Sequence, residues 1–159
     1  MSTQARLLSA TFSTWSLATC LLASCVSEPA SEPLPQGDLT QFSASVQPVL
    51  AARCADPTCH GRDDRPLAVY ATRRFRMDPD RVFLEEPIDA EETAANARSV
   101  ASFMIDSGAD DCLVLRKPLA ETEGGAHHLG GEIFSTRDDR EYRALRAWLE
   151  SLVRSGGGR

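Results

Sequence analysis

The chain has 159 residues, with 17 Lys and Arg against 23 Asp and Glu, and therefore a net charge of −6. This acidic balance argues against binding to nucleic acid or to anionic lipid headgroups, and it favours basic partners. Once a predicted export segment at the N-terminus is set aside, about 120 residues remain, enough for one small domain with a single core.

The first 24 residues are predicted to be an export signal. Arg6 is their only charge, and residues 7–23 are apolar or hydroxylic, too short and too rich in Ser and Thr for a confident membrane span. Residues 22–25, LASC, resemble the cleavage box of bacterial lipoproteins. That resemblance implies cleavage before Cys25, acylation of its thiol and, because Val26 follows instead of Asp, an outer-membrane location facing the periplasm. An ordinary signal peptide cleaved elsewhere is the alternative.

Residues 25–38 are predicted to be a tether between this anchor and the folded domain. The segment SEPASEPLPQGD is rich in Pro, Ser and Glu and cannot build a core. The domain is predicted over residues 39–155, with a disordered tail at 156–159.

Three helices are predicted in this domain, in chain order. The first shows apolar residues at helical spacing and runs towards Cys54, and Pro48 either kinks it or begins a new helix. The second spans residues 89–108 and stops at Gly108; the third spans residues 135–158 and is capped by Ser135 or Thr136. Their apolar faces are Phe42, Val46, Val49 and Leu50 in the first; Ala97, Val100, Ala101 and Met104 in the second; and Tyr142, Leu145, Trp148, Leu149 and Leu152 in the third.

The segments between the helices are expected to be largely irregular. Residues 66–87 contain many Pro and Arg, and Val69 and Phe83 are their only candidates for short strands. Residues 108–134 are rich in glycine and are expected to form a long ordered loop. The predicted fold class is therefore mainly α, with long irregular loops.

The segment LAARCADPTCHG, residues 50–61, carries the clearest chemistry. Three cysteines remain once Cys20 and Cys25 are assigned to the signal and the anchor, and in an oxidising compartment such thiols are usually paired or otherwise used. Cys54 and Cys59 have four residues between them, and His60 follows directly. Covalent haem attachment needs two thiols and a histidine adjacent to the second, so this pattern fits if the intervening residues bulge outward.

Two other interpretations of this segment remain open. Zinc needs four nitrogen or sulfur ligands, which Cys54 and Cys59 together with His127, His128, Cys112 or His60 supply in number but not at common spacings. A Cys54–Cys59 disulfide is the simplest interpretation of the cysteines alone and leaves the histidine incidental.

Motifs in a fixed order along the chain resemble the monohaem, class I-like cytochrome c domains of bacterial exported and lipid-anchored proteins. The resemblance covers residues 42–149, and it departs from the family in the four-residue cysteine spacing and in a cysteine where the family has serine. The matching motifs are Phe42, Val46, Pro48 and Leu50; Cys59-His60-Gly61; CLVLRKPL from Cys112; HLGG from His128; and Tyr142, Leu145 and Trp148.

The resemblance implies a domain of helices packed around one haem c, whose iron takes His60 as proximal ligand after attachment through Cys54 and Cys59. His128 is the first candidate for the distal ligand, followed by Met104, which is more plausible as a core residue, and then His127. The family fold further implies that Trp148 packs on the helix before Cys54, and Cys112 is expected to be a small buried residue.

An arginine cluster lies between the first two helices. It is expected to be a solvated face in preference to a propionate-binding site. Its members are Arg73, Arg74, Arg76 and Arg81.

The function implied is one-electron transfer with a redox partner protein at the cell envelope, with no enzymatic activity. One alternative is a non-redox surface lipoprotein stapled by a Cys54–Cys59 disulfide. Another is a haem-based sensor with an open distal site.

Overall fold

The computed structural model describes residues 37–104 and 108–156, all of which belong to one compact unit. Within these ranges the chain forms helices and turns, and its only β-type pairing is one isolated parallel bridge between Leu119 and Phe134. The prediction of a mainly α domain is confirmed. The predicted signal peptide, Cys25 and most of the tether lie outside the described residues.

The first helix, α1, covers residues 39–53 and changes its winding along its length. An α-helical turn over Leu39–Gln41 leads into a π-helix over Phe42–Val46 and then an α-helix over Gln47–Arg53. Pro48 lies in the first turn of this last part, directly after the π-helix. Of the two predicted outcomes, the helix therefore restarts at the proline.

The second helix, α2, covers Ala90–Ala101 and continues as a 3₁₀ turn over Ser102–Met104. Its start is fixed by a capping box, in which Asp89 accepts a hydrogen bond from the Glu92 backbone and the Glu92 carboxylate accepts one from the Asp89 backbone. The α-helix ends at Ala101, earlier than the stop predicted at Gly108.

Two further helices complete the described chain, and both correct the sequence prediction. A short helix, α3, covers Leu113–Arg116 inside the segment expected to be a loop, and it buries Val114 and Leu115 in the core. The last helix, α4, covers Arg140–Gly156. Its cap is Asp139, whose Oδ1 accepts hydrogen bonds from the backbone N–H groups of Glu141 and Tyr142, because residues 135–138 form a turn instead of helix.

The core lies where α1 packs against α4. Phe42 and Trp148 are both fully buried and meet edge to face, with ring centroids 4.8 Å apart. The indole N–H donates to the backbone carbonyl of Asp38, which also caps α1 through its side chain. Trp148 therefore packs on the helix before Cys54, as expected, and residues 37 and 38 lie against this core.

Short 3₁₀ turns occur at Pro79–Arg81, Ala109–Asp111 and Glu121–Glu123. Neither Val69 nor Phe83 lies in a strand: Val69 is fully buried, whereas Phe83 is 89% exposed. No helix in the described ranges is long and apolar enough to span a membrane.

The expectation of a solvated arginine face is wrong for Arg76. Its guanidinium is buried and binds both carboxylate oxygens of Glu92, at 2.9 and 2.8 Å, and it also donates to the backbone carbonyls of Glu86 and Pro87. A buried charge is tolerated only when it is paired and fully hydrogen-bonded, and this site meets both conditions. Arg76 therefore fastens the irregular segment to the start of α2.

Candidate functional site

The residues between Cys54 and Gly61 form a compact turn directly after α1. The backbone N–H of His60 donates to the Cys54 carbonyl at 3.1 Å. The Asp56 carbonyl accepts from both Cys59, at 2.8 Å, and Gly61, at 2.9 Å. The four residues between the cysteines therefore form a closed turn, in which the backbones of His60 and Cys54 are in contact.

One side of this turn is buried and the other is exposed to solvent. Ala55 is fully buried, whereas residues 56–58 are exposed. The Asp56 carboxylate accepts hydrogen bonds from the backbone N–H and the hydroxyl of Thr58, at 2.9 and 2.6 Å, and these lower the Asp56 pKa. A Cβ atom at Gly61 would lie 2.3 Å from the Ala55 carbonyl oxygen, so only glycine fits after the histidine.

The thiols of Cys54 and Cys59 are both half-buried and are not bonded to each other. Burial raises the pKa of Cys54 to about 11, with Cys59 and Glu141 adding to the increase and Arg53 opposing it. Cys54 is therefore a protonated thiol at neutral pH. Cys112 is fully buried, as expected, and burial raises its pKa too.

The ring of His60 is held in one tautomer. Its Nδ1 lies 2.8 Å from the carbonyl oxygen of Leu67, and because a carbonyl only accepts, Nδ1 must carry the proton. Burial lowers the His60 pKa, and nearby His128 and Arg65 lower it further, while the bond to Leu67 opposes them. At neutral pH the ring is therefore uncharged, with a lone pair on Nε2.

The segment that contains Leu67 is held three residues further on, at Tyr70, by a buried polar cluster. Asn96, fully buried on α2, accepts from the Tyr70 backbone N–H at 2.8 Å and donates to the Tyr70 carbonyl at 2.9 Å. Gln47 on α1 donates to the same carbonyl and accepts from Asn96. Both helices thereby hold the segment that begins at Leu67.

The ring of His128 lies beside that of His60. The two ring planes are within 11° of parallel, and their centroids are 6.1 Å apart. His128 Nδ1 lies 3.0 Å from the Gly131 carbonyl oxygen, and because a carbonyl only accepts, Nδ1 is the donor. Gly131 adopts a positive φ of 79°, and a Cβ at Gly130 would lie 3.0 Å from the His128 ring. The glycines therefore shape the turn that positions this imidazole.

These two imidazoles suit the ligation of a single metal ion. Metal–imidazole bonds of about 2.0 Å place the centroids of two rings on opposite sides of one metal about 6 Å apart. Metal-bound histidines characteristically donate their second ring nitrogen to a backbone carbonyl or carboxylate, which fixes the tautomer. His60 and His128 both make this Nδ1–carbonyl contact, and their near-parallel rings lie 6.1 Å apart, so the pair is compatible with ligation of one metal ion.

The other candidate ligands lie elsewhere. Met104 is buried in the hydrophobic core cluster, as the core interpretation predicted. His127 points outward, 81% exposed, with its Nδ1 3.7 Å from a carboxylate oxygen of Glu121. Among residues 37–104 and 108–154, no group of three or more His, Cys, Asp or Glu side chains is gathered as a metal site, so the ligand set required for zinc is not assembled there.

Several residues that shape the site were not singled out from the sequence. The Leu67 carbonyl carries no sequence signal, because any residue supplies one. Asn96 does carry a weak signal: it lies beside the apolar stripe of α2, where a buried amide requires hydrogen-bonding partners.

Comparisons of the chain with protein-family models, with curated proteins and with solved structures found no match.

Proposed function

We propose that this chain is a c-type cytochrome that carries single electrons through one covalently attached haem. The observation that carries the proposal is the pairing of His60 with His128, two near-parallel imidazoles with centroids 6.1 Å apart, each with Nδ1 bonded to a backbone carbonyl. The ordered motifs from Phe42 to Trp148 support the same conclusion.

Each group in the turn has a defined task in this proposal. The thiols of Cys54 and Cys59 each add their sulfur to one vinyl carbon and their hydrogen to its neighbour, with no net oxidation. The turn bonds the His60 N–H to the Cys54 carbonyl and so brings the histidine backbone next to that of the first cysteine. The haem iron supplies the one-electron chemistry, and the protein controls its axial ligands and their hydrogen bonds.

The residue on the distal side of the proposed haem determines whether the protein carries electrons or binds small ligands. If His60 and His128 both held the iron, no coordination position would remain for a small ligand, which favours an electron carrier over a sensor or a peroxidase. We further propose that the protein is exported and held at the outer membrane by lipid on Cys25, and that it exchanges electrons with a redox partner protein. The lipoprotein-like residues 22–25 support this location.

The test is to produce the chain with a cytochrome c maturation system and record its pyridine haemochrome spectrum after denaturation. Two thioether bonds are expected, so the α band should lie where both vinyl groups are saturated. Cys54→Ala and Cys59→Ala should each move the band towards a single thioether. Absence of covalent haem would refute the cytochrome function, and an iodoacetamide-resistant Cys54–Cys59 pair would then favour the disulfide-stapled lipoprotein.

The distal ligand is tested separately with neighbouring histidines. His128→Ala should convert the oxidised protein from low spin to high spin and allow cyanide or imidazole to bind readily. His127→Ala is the matched control, because its side chain is 81% exposed, and it should leave the spectrum unchanged. An unchanged low-spin spectrum in His128→Ala would remove this residue from the iron, and a native high-spin state would instead favour the sensor.

A further inference from the structure

An exposed aromatic residue stands out on the surface of the segment between α1 and α2. Phe83 is 89% exposed and its neighbour Leu84 is 43% exposed, although both are large apolar side chains. Met77, in the same segment, is 39% exposed. Single exposed apolar residues are ordinary, but two adjacent ones at a loop tip, one of them almost entirely in water, invite a functional explanation.

The backbone that presents Phe83 is held in place. The Asp78 side chain caps the 3₁₀ turn Pro79–Arg81, and the Leu84 N–H donates to the Arg81 carbonyl at 3.1 Å. The Arg81 guanidinium binds the carboxylates of Glu86, at 3.0 Å, and Asp89, at 2.8 Å. The exposed ring is therefore displayed on an ordered scaffold.

That scaffold is anchored in the protein interior. The buried Arg76 precedes the tip in sequence and binds three residues that follow it: the carboxylate of Glu92 and the carbonyls of Glu86 and Pro87. The Met77 N–H also donates to Glu92. Because the loop is already ordered, a partner that covers Phe83 loses little conformational entropy on binding, which favours affinity.

The surroundings of the tip are strongly acidic. Residues 76–92 contain two arginines and seven carboxylates, a net charge of −5. Both arginines are engaged by carboxylates of the same segment. Arg73, just before this range, also pairs with Glu85. Within the described part of the chain, Asp78, Asp80 and Glu91 have no basic partner, so the potential around the tip remains negative.

We propose that Phe83 and Leu84 form the anchor of a docking surface for a partner protein that offers an apolar pocket rimmed by Lys and Arg. Aromatic anchors that enter a pocket carry a large share of interface energy, and opposite charge around them accelerates association and selects the partner. This surface does not depend on haem, because none of its residues belongs to the turn or to the histidine pair.

The charge of the tip disfavours the two other occupants. A second copy of the chain would bring two surfaces of like charge together, which costs free energy at short range. A bilayer with anionic headgroups would repel the carboxylates that flank Phe83. A cationic protein surface satisfies both the ring and the carboxylates.

The test begins with a photoreactive probe in the full-length protein. Phe83 is replaced by benzoylphenylalanine, and the protein is illuminated in cells of its own host. A second protein with the same replacement at Val153, which is 50% exposed on α4, is the matched control. We expect one protein to be captured from position 83 and not from position 153, with the crosslinked peptide apolar and flanked by Lys or Arg.

The captured protein is then purified and titrated with the unlabelled chain. Phe83→Ser should weaken binding at least about tenfold, Val153→Ser should leave it unchanged, and added salt should weaken it progressively. Phe83→Ser should keep the wild-type melting temperature, because the ring is exposed. Equal capture at both positions, adducts only with lipid or with a second copy, no adduct, or salt-independent binding unaffected by Phe83→Ser would each overturn the proposal.

Discussion

The Nδ1 atom of His60 and the carbonyl oxygen of Leu67 are joined by a hydrogen bond of 2.8 Å, and this single contact selects the tautomer of the ring. Asn96 does not contact Leu67 itself. It binds the backbone N–H and carbonyl of Tyr70, three residues further along the same segment. The same segment is also joined directly to the histidine, because the Val69 N–H donates to the His60 carbonyl at 2.8 Å.

Asn96→Ala should lower the free energy of unfolding by about 2–4 kcal/mol, because it leaves buried groups of Tyr70 and Gln47 without partners. It should also loosen the His60 bond, which ¹⁵N NMR of the imidazole would detect as faster exchange of the Nδ1 proton, with or without haem. Arg98→Ala, an exposed change on the same helix, is the control and should affect neither measurement. A purely structural role for Asn96 would lower stability but leave the imidazole signals unchanged.

Gly61→Ala should disrupt the turn after α1, because the new Cβ would lie 2.3 Å from the Ala55 carbonyl oxygen. We expect a loss of about 1–3 kcal/mol in urea unfolding, the usual cost of forcing atoms into a packed site. Gly108→Ala is the matched control: a Cβ there meets nothing within 4 Å, so its stability should stay close to wild type. Equal stability of the two variants would contradict the packing at this turn.

The Arg76–Glu92 pair should make the protein sensitive to acid. The Glu92 pKa is lowered: burial acts to raise it but is outweighed by hydrogen bonds from Arg76 and from the Met77 and Asp89 backbones. A carboxyl with a lowered pKa contributes its full stabilisation above its unfolded value of about 4.3, and loses it as pH falls through the folded value. Urea unfolding between pH 7 and pH 3 should show this decline.

The matched variants for this pair are neighbouring glutamates on α2. Glu92→Gln should lower the free energy of unfolding at pH 7 by about 3 kcal/mol, because Arg76 keeps a buried charge without its counterion, and the acid-induced decline should become shallower. Glu91→Gln, at an exposed position, should change stability only slightly and keep the decline. If both variants followed the wild-type pH profile, the pair would not be a source of acid sensitivity.

The contact between Phe42 and Trp148 should be a main source of stability. Either residue changed to Ala should cost about 3–5 kcal/mol in unfolding, since both rings are fully buried. In a double-mutant cycle the two changes should couple by about 0.5–1.5 kcal/mol, as edge-to-face rings at 4.8 Å do. Phe83→Ala is the control and should cost under about 0.5 kcal/mol. Strict additivity would show that the rings are buried independently.

Several elements were predictable because their cause lies within a few residues of the chain. Apolar residues at helical spacing identified α1, α2 and α4, and Pro48 implied that the first helix kinks or restarts there. The adjacency of Cys59 and His60 likewise marked the candidate site. The cap of α4 and helix α3 were missed, because Asp139 competes with several other capping residues and α3 is only four residues long.

The tertiary structure alone decided the surroundings of these elements. The sequence left three residues possible as the distal ligand: His128, Met104 and His127. In the structure the His128 ring lies beside that of His60, Met104 is buried in the core and His127 is exposed. Likewise, Arg76 was expected in solvent and is buried on Glu92. The physical reason is the same for both: periodicity and capping act within one or two turns, whereas burial and pairing depend on groups that meet only when distant segments pack.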